Sequence, residues 1–344
     1  MATRQSIASV QGSSNLSLEK IEARVFCLGT EGGNPVTIFS STRPLSGTLQ
    51  QDLARSCEWE SVMVGTETSS SSSPTMAFFM PSGEEVSFCA HAAIGGAIAM
   101  RGDPGSWEFK AAMTSDSFKV DTEEVGGGDT RGAASSSCCL HMKDVRFDEA
   151  PLGKAGMSAL EEWSNQLGWS MASHSKTKRS PKNASVARPK TLVELESVDA
   201  VQNAGTPPSD GSFAQACATM DDSTGVYLYA PCSSESKDIL SYECRQFPRS
   251  SGYPEDPATG IAAAALAASL RFGGENQNQS NSSKKGTVTK ESNSIAYDIY
   301  QGTAMGRPSL IQVLNLERDS GGKLSFGLQG RVEIDATITI QVDE

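Results

Sequence analysis

Two short stretches concentrate the polar residues that could do chemistry, and each stands directly before a run of small apolar residues. In "SFCAHAAIGGAIAM", Cys89 and His91 precede the run. In "YPEDPATGIAAAALAASLRF", Glu255, Asp256 and Thr259 precede it. Both runs read as helices with alanine and glycine on every face. A helix with no polar stripe belongs in a core, with a sheet drawn close around it. Its N-terminus offers backbone N–H groups without intrahelical partners and a partial positive charge, which suits an anion. Plain structural roles exist too. Asp256 fits an N-cap and Pro257 the first helical position, and a lone histidine before a helix fits a cap as readily as a catalyst.

The elements that must hold these mouths follow from pattern. Strands are expected at "RVFCLG" and "NPVTIFSS", about a turn at Gly32 and Gly33, then at "ESVMVG" and "MAFFMPSG". A short helix is expected at "SGTLQQDLARSCEW", with Leu49, Leu53 and Cys57 at helical spacing. After the Gly/Ser-rich linker "EEVGGGDTRGAASSS" the plan repeats: a strand at "CCLHMKDVRF", a helix with Leu160, Trp163 and Leu167 on one face, then further strands. The stretch from Lys176 to Lys190 reads as a solvated basic loop. "TETSSSSSPT" and residues 273–294 read as low-complexity loops. Each half thus holds many strands and one alanine-rich helix. The expected fold is α+β, two similar domains with a sheet curled about a central helix. Residues 1–20 are a disordered tail, 21–128 a first domain and 137–327 a second, with a strand at about 328–344 returning to the first.

Composition narrows the function classes. The chain has 344 residues and a net charge of −12, which opposes a nucleic-acid surface. Its eight cysteines include no CxxC pair, so no zinc knuckle is expected and free thiols are. The N-terminus lacks an apolar signal core; it is Ser/Thr-rich and acid-poor up to Glu19, which also fits a transit peptide. No long charge-free apolar run appears, so no membrane span is expected, and the compartment expected is the cytoplasm. No P-loop or hydrolase elbow occurs.

The blocks "GGNPVTIF", "FCAHAAIGGAIA", "PEDPATGIAAAALAASL" and "QGTAMGRPSLIQV" resemble the signature blocks of the PhzF-like phenazine biosynthesis family, in the family's order, from residue 25 to about 315. That family is related in fold to diaminopimelate epimerase and proline racemase. The resemblance implies a site in the cleft between two similar domains, chemistry without cofactor or metal, and a possible homodimer. Two helix mouths aimed at one cleft would bind a carboxylate with no lysine or arginine. The implied function is an isomerase that moves a proton within a small carboxylate-bearing metabolite.

The family's glutamate acid/base stands in a block resembling Ser-Glu-Thr-x-Phe-Val. "WESVMV" puts Glu60 there, with Trp59, Ser61 and Met63 as departures. Burial between apolar neighbours would raise such a carboxyl toward neutral pH. The resemblance further implies that His91 contacts substrate or relays a proton, that Asp256 faces substrate, and that Asn34 lies near the cleft. Thr259 and Gly260 would offer a hydroxyl and a backbone N–H. Ala90 and Ala93 stand where the family usually has Gly and Thr, and Ile261 where it has Ser. Ala90 could crowd a ligand, and Ile261 removes a donor. Two other readings stay open: a racemase or dehydratase using Cys89 with Thr259, and a non-catalytic binding protein that keeps the fold.

Overall fold

A computed structural model describes residues 15–65, 73–101, 104–124, 135–171, 179–233, 236, 238–273 and 295–343. The first strand shows how pattern becomes architecture. In β1 (Asn15–Cys27), Leu16 and Leu18 pack in one cluster, while Ile21, Ala23 and Val25 pack in the central core. Successive side chains of a strand point to opposite faces, so a two-sided strand buries both parities. Residues 15–20 are therefore strand, not the tail that their composition implies. Residues 1–14 lie outside the described chain, as do most of the linker and both low-complexity loops.

The first half continues with β2 (Asn34–Ser41), α1 (Gly47–Arg55), β3 (Ser61–Gly65), β4 (Thr75–Phe79), β5 (Glu85–Val86), α2 (Ala90–Arg101), β6 (Gly105–Ala111) and β7 (Ser117–Glu124). Then follow β8 (Ser135–Val145), β9 (Asp148–Pro151), α3 (Lys154–Leu167), β10 (Lys182–Ser185), β11 (Lys190–Glu194), α4 (Val198–Gln202), α5 (Ser212–Thr219), β12 (Gly225–Pro231) and β13 (Ile239–Pro248). The last elements are α6 (Gly260–Phe272), β14 (Ala296–Gln301), a 3₁₀ turn at Thr303–Met305, β15 (Ser309–Arg318) and β16 (Leu324–Asp343). The basic stretch is not all loop: Lys182 to Ser185 form β10, and Lys190 begins β11. Ala184, Val186 and Leu192 are buried there, and they, not the lysines between them, decide the backbone.

One pairing scheme occurs twice. From β1 to β8 the successive pairings are antiparallel, parallel, antiparallel, parallel, antiparallel, antiparallel, skipping β5. From β10 to β16 the order is the same. In both, an alanine-rich helix, α2 or α6, lies in the second parallel crossover. The long β16 serves both halves, pairing with β15 and β8 near its start and with β1 from Arg331 to Asp343. With β1 also bound to β2, the first eight-stranded circuit closes on itself, which leaves no edge there.

Both helices are enclosed, as their lack of a polar face demands. Ala92, Ala93, Ile94 and Ala97 of α2, and Ala262 through Ala268 of α6, have no exposed surface. The sheet leaves no room for larger residues: a β-carbon on Gly95 would lie 2.8 Å from Val36 Cγ1. Among the described residues, no helix is long and apolar enough to cross a membrane. All eight cysteines are free.

Phe26 wedges between the halves. It is fully buried, with φ of 68°, a left-handed conformation that a bulky residue rarely adopts. A β-carbon on Gly330 would lie 2.3 Å from Phe26 Cδ1 and 3.1 Å from its Cα. Gly330→Ala should therefore destabilise the protein by about 1–3 kcal/mol in urea or thermal unfolding. An unchanged midpoint would mean that Phe26 can move aside.

Candidate active site

The first-half side chains reach the site from element ends. Asn34 opens β2 and Glu60 immediately precedes β3, and these two strands run parallel from the same edge. His91 lies in the first turn of α2, whose first intrahelical bond runs from Ala93 N to Cys89 O. The turn before Asn34 needs glycine: Gly32 has φ of 63°, and a β-carbon there would lie 1.9 Å from Pro308 O.

The second-half side chains sit on the turn before α6. This helix starts at Gly260 with Thr259 as N-cap, so Asp256 is not its cap and Pro257 is not its first residue. Asp256 instead closes the turn, where its Oδ1 accepts from Ala258 N at 3.2 Å and its Oδ2 from Thr259 Oγ1 at 2.6 Å. Gln301 braces the turn from β14: Nε2 donates to Asp256 O and Thr259 Oγ1, and Oε1 accepts from Thr259 N. The hydroxyl and N–H of Thr259 are thus already engaged and are not presented to a ligand. Glu255 anchors the turn beneath, in a buried two-bond fork with Arg245 at 2.8 and 2.6 Å.

The two mouths meet. A β-carbon on Gly260 would lie 3.5 Å from Ala90 Cβ and 3.3 Å from Phe26 Cζ. Beside this junction opens a cavity of about 150 Å³. Its walls include Glu60, Cys89, Ala90 and His91 from the first half, and Asp256, Thr259, Gly260 and Ile261 from the second. Asn34 links the two sets, donating from Nδ2 to Asp256 Oδ1 and Ala258 O, each at 2.8 Å, with His91 Nδ1 at 3.5 Å. Every candidate residue named from the sequence therefore lies in or against one cavity. Ala93 lies deeper, fully buried in the core.

Glu60 is 6% exposed. Its Oε1 accepts from Tyr253 OH at 2.5 Å, while Oε2 has no hydrogen-bond partner and lies 3.9 Å from His91 Nε2. Burial holds the His91 imidazolium below its ordinary range, so the ring is neutral. His91 Nδ1 lies 3.4 Å from Cys89 Sγ and 3.5 Å from Asn34 Nδ2, while Nε2 faces Glu60. Burial, then the charge of Glu60, pushes the Cys89 thiol far above its usual value. Burial and then Glu60 raise Asp256 to about 7.

Four residues of the site escaped the sequence reading. Tyr253 stands inside the second polar stretch and holds Glu60; its ring centroid lies 5.1 Å from that of Trp59, over which Arg307 stacks. Gln301 is the first residue of the Gln-Gly-x-x-Met-Gly-Arg-Pro-Ser block. Lys190 and Arg188 line the cavity, so the expectation of a site without lysine or arginine is corrected. They come from the basic stretch, where composition hides which cations turn inward. His141 takes no part and pairs with Asp121. His174 lies outside the described residues.

A continuous sheet curled about two small-residue helices, with a polar cavity where the helices begin, makes this an α+β protein of the diaminopimelate epimerase-like fold. Residues 24–333 match the family described as phenazine biosynthesis-like protein, and the chain belongs to that family. Among solved structures it is similar to a phenazine biosynthesis protein of the PhzF family from Bacillus anthracis, at 15% identity and a TM-score of 0.69, covering 95% of this chain and 99% of that one. It is also similar to a predicted epimerase from Pseudomonas aeruginosa, at 19% identity and a TM-score of 0.64, covering 94% and 99%. A PhzF family protein from Enterococcus faecalis matches at 16% identity and a TM-score of 0.61, covering 95% and 100%. A comparison with curated proteins gave no match.

The raised Asp256 carboxyl has a consequence for stability. In the folded chain it keeps a proton at pH values where the unfolded chain, near 3.8, has released it. Its contribution is complete below the unfolded value and is lost as pH rises through about 7. Asp256→Asn lacks this titration, so its melting temperature should gain on the wild type between about pH 4 and about pH 8. A difference that stays constant or narrows across that range would contradict the assignment.

Proposed function

We propose that the protein is a cofactor-independent isomerase that shifts a proton within a small carboxylate-bearing metabolite, with Glu60 as the single acid/base. The observation that carries this reading is the Glu60 carboxylate: buried, tethered at Oε1, and free of hydrogen bonds at Oε2 beside the cavity. A buried oxygen without a partner is costly in a resting protein and useful where it must take a proton from carbon.

The substrate carboxylate seats on the free N–H groups at the starts of α2 and α6. Glu60 Oε2 removes a proton from the carbon beside it, and the C–H electron pair delocalises toward the carboxylate as an enolate-like anion. The same N–H groups stabilise that growing charge, and His91 Nε2–H donates to it. Glu60 then returns the proton to another carbon of the conjugated system, so substrate and product have the same composition. Asp256 and Asn34 hold the two mouths in register, and Tyr253 aims the carboxylate.

A racemase using Cys89 and Thr259 is less well supported. A thiol pushed far up is a poor base, and the Thr259 hydroxyl already donates to Asp256. The neighbour called a predicted epimerase bears its name for a reaction that needs proton exchange on two faces of one carbon. Of the two carboxyl groups among the described residues lining this cavity, only that of Glu60 has an oxygen without a hydrogen-bond partner.

The test is deuterium uptake from D2O across a library of small carboxylates. Glu60→Gln should lower exchange by about 10²-fold or more, and Cys89→Ala should leave most of it. The opposite pattern supports the thiol reading, and no exchange with any compound supports a binding protein. Tyr253→Phe should retain folding and lower the exchange rate by about tenfold or less, because Glu60 Oε1 loses its donor.

A further inference from the structure

Two cations on the cavity wall have no partner that explains them. Lys190 is part-buried at the start of β11, and its Nζ makes one long hydrogen bond, 3.4 Å to Thr224 O. Arg188 stands exposed at the rim and reaches the other half through Nη2, 3.4 Å from Phe88 O. Among the described residues, neither has a carboxylate within the 4.0 Å of an ion pair. Yet the chain does pair other cations, as the Arg245–Glu255 fork and the Lys182–Glu149 bridge show. Lysine seldom leaves water unpaired. Desolvation holds the Lys190 ammonium down to about 8, against the opposing pull of Asp256 and Cys217 and alongside the repulsion of Arg188.

We propose that the substrate is a small dicarboxylate. One carboxylate seats on the helix N-termini and the second pairs with Lys190 at the wall and Arg188 at the rim. This rests on the isomerase reading for the seat of the first carboxylate, and it adds what that reading lacks, a determinant of which acid is chosen. The helix mouths alone would accept any small acid, and Glu60 and Asp256 would repel a second negative charge. Lys190 and Arg188, lining the same cavity, offset that repulsion. The missing counter-charge of the resting site is then supplied by substrate. The cavity of about 150 Å³ is of a size for a small acid.

The experiment is calorimetric titration of the full-length protein with malonate, succinate and glutarate against propionate, butyrate and valerate at fixed ionic strength. At least one diacid should bind about tenfold or more tightly than the monoacid of equal length. Lys190→Met and Arg188→Gln should each bring the pair within about threefold, while leaving monoacid binding in place. The melting temperature of Lys190→Met should hold or rise, because the cation lost was unpaired. Should that variant fail to fold, Arg188→Gln, at the exposed rim, carries the comparison. Equal binding of diacids and monoacids by the wild type overturns the proposal, as does a preference that survives both substitutions. Glu60→Gln separates the two readings: it should keep the diacid preference while losing proton exchange. A preserved preference without exchange in the wild type would sink the isomerase and leave the dicarboxylate site standing.

Discussion

The approach of two helix N-termini to within methyl contact constrains everything else. Ala90 and Gly260 adjoin, and Phe26 fills the space beside them. Helices can meet so closely only if their faces are small, which is why alanine and glycine fill α2 and α6. That smallness removes the long side chains that would otherwise fill the sheets, so the sheets must curl tightly about each helix. The cavity is the residue of this geometry, opening where the two helices begin.

A closely packed core with polar groups at its centre demands hydrogen-bond satisfaction. Gln301 uses both ends of its amide on the turn before α6, and Arg245 spends its guanidinium on Glu255 and on the carbonyls of Val201, Gln202 and Ala204. Such networks raise rigidity where every member is satisfied. Against that background, two of the unsatisfied buried atoms stand at the site. Glu60 Oε2 and Asn34 Oδ1 are buried without partners, and both belong to residues that link the two helix mouths.

Much of this was legible in the sequence, because the features involved are local or compositional. The small-residue runs implied buried helices, and the polar residues before them implied a shared site where the helices begin. What pattern could not show was direction. Asp256 before Pro257 has the form of an N-cap, yet the helix waits until Gly260 because Asp256 is engaged by Ala258, Thr259 and Asn34. Leu16 and Leu18 look like part of a polar tail until α1 is present to cover them. Lys190 and Arg188 are two cations in a basic stretch, and only the pairing of β10 with β11 turns them toward the cavity. Tyr253 and Glu60 are 193 positions apart, a separation at which sequence carries no signal of contact.

The shared strand β16 sets an order of events during synthesis. Asn15 pairs with Asp343, so the first circuit gains its closing strand only after the second half has been made. Until then β1 and β8 expose unpaired backbone, and α2 has an incomplete wall. A nascent first half would hold Asn34, Glu60 and His91 in sequence without a finished scaffold, and its open strands would invite pairing with other chains. The cavity is thus completed last, and a chain whose translation stops short of β16 lacks the strand that closes the first circuit.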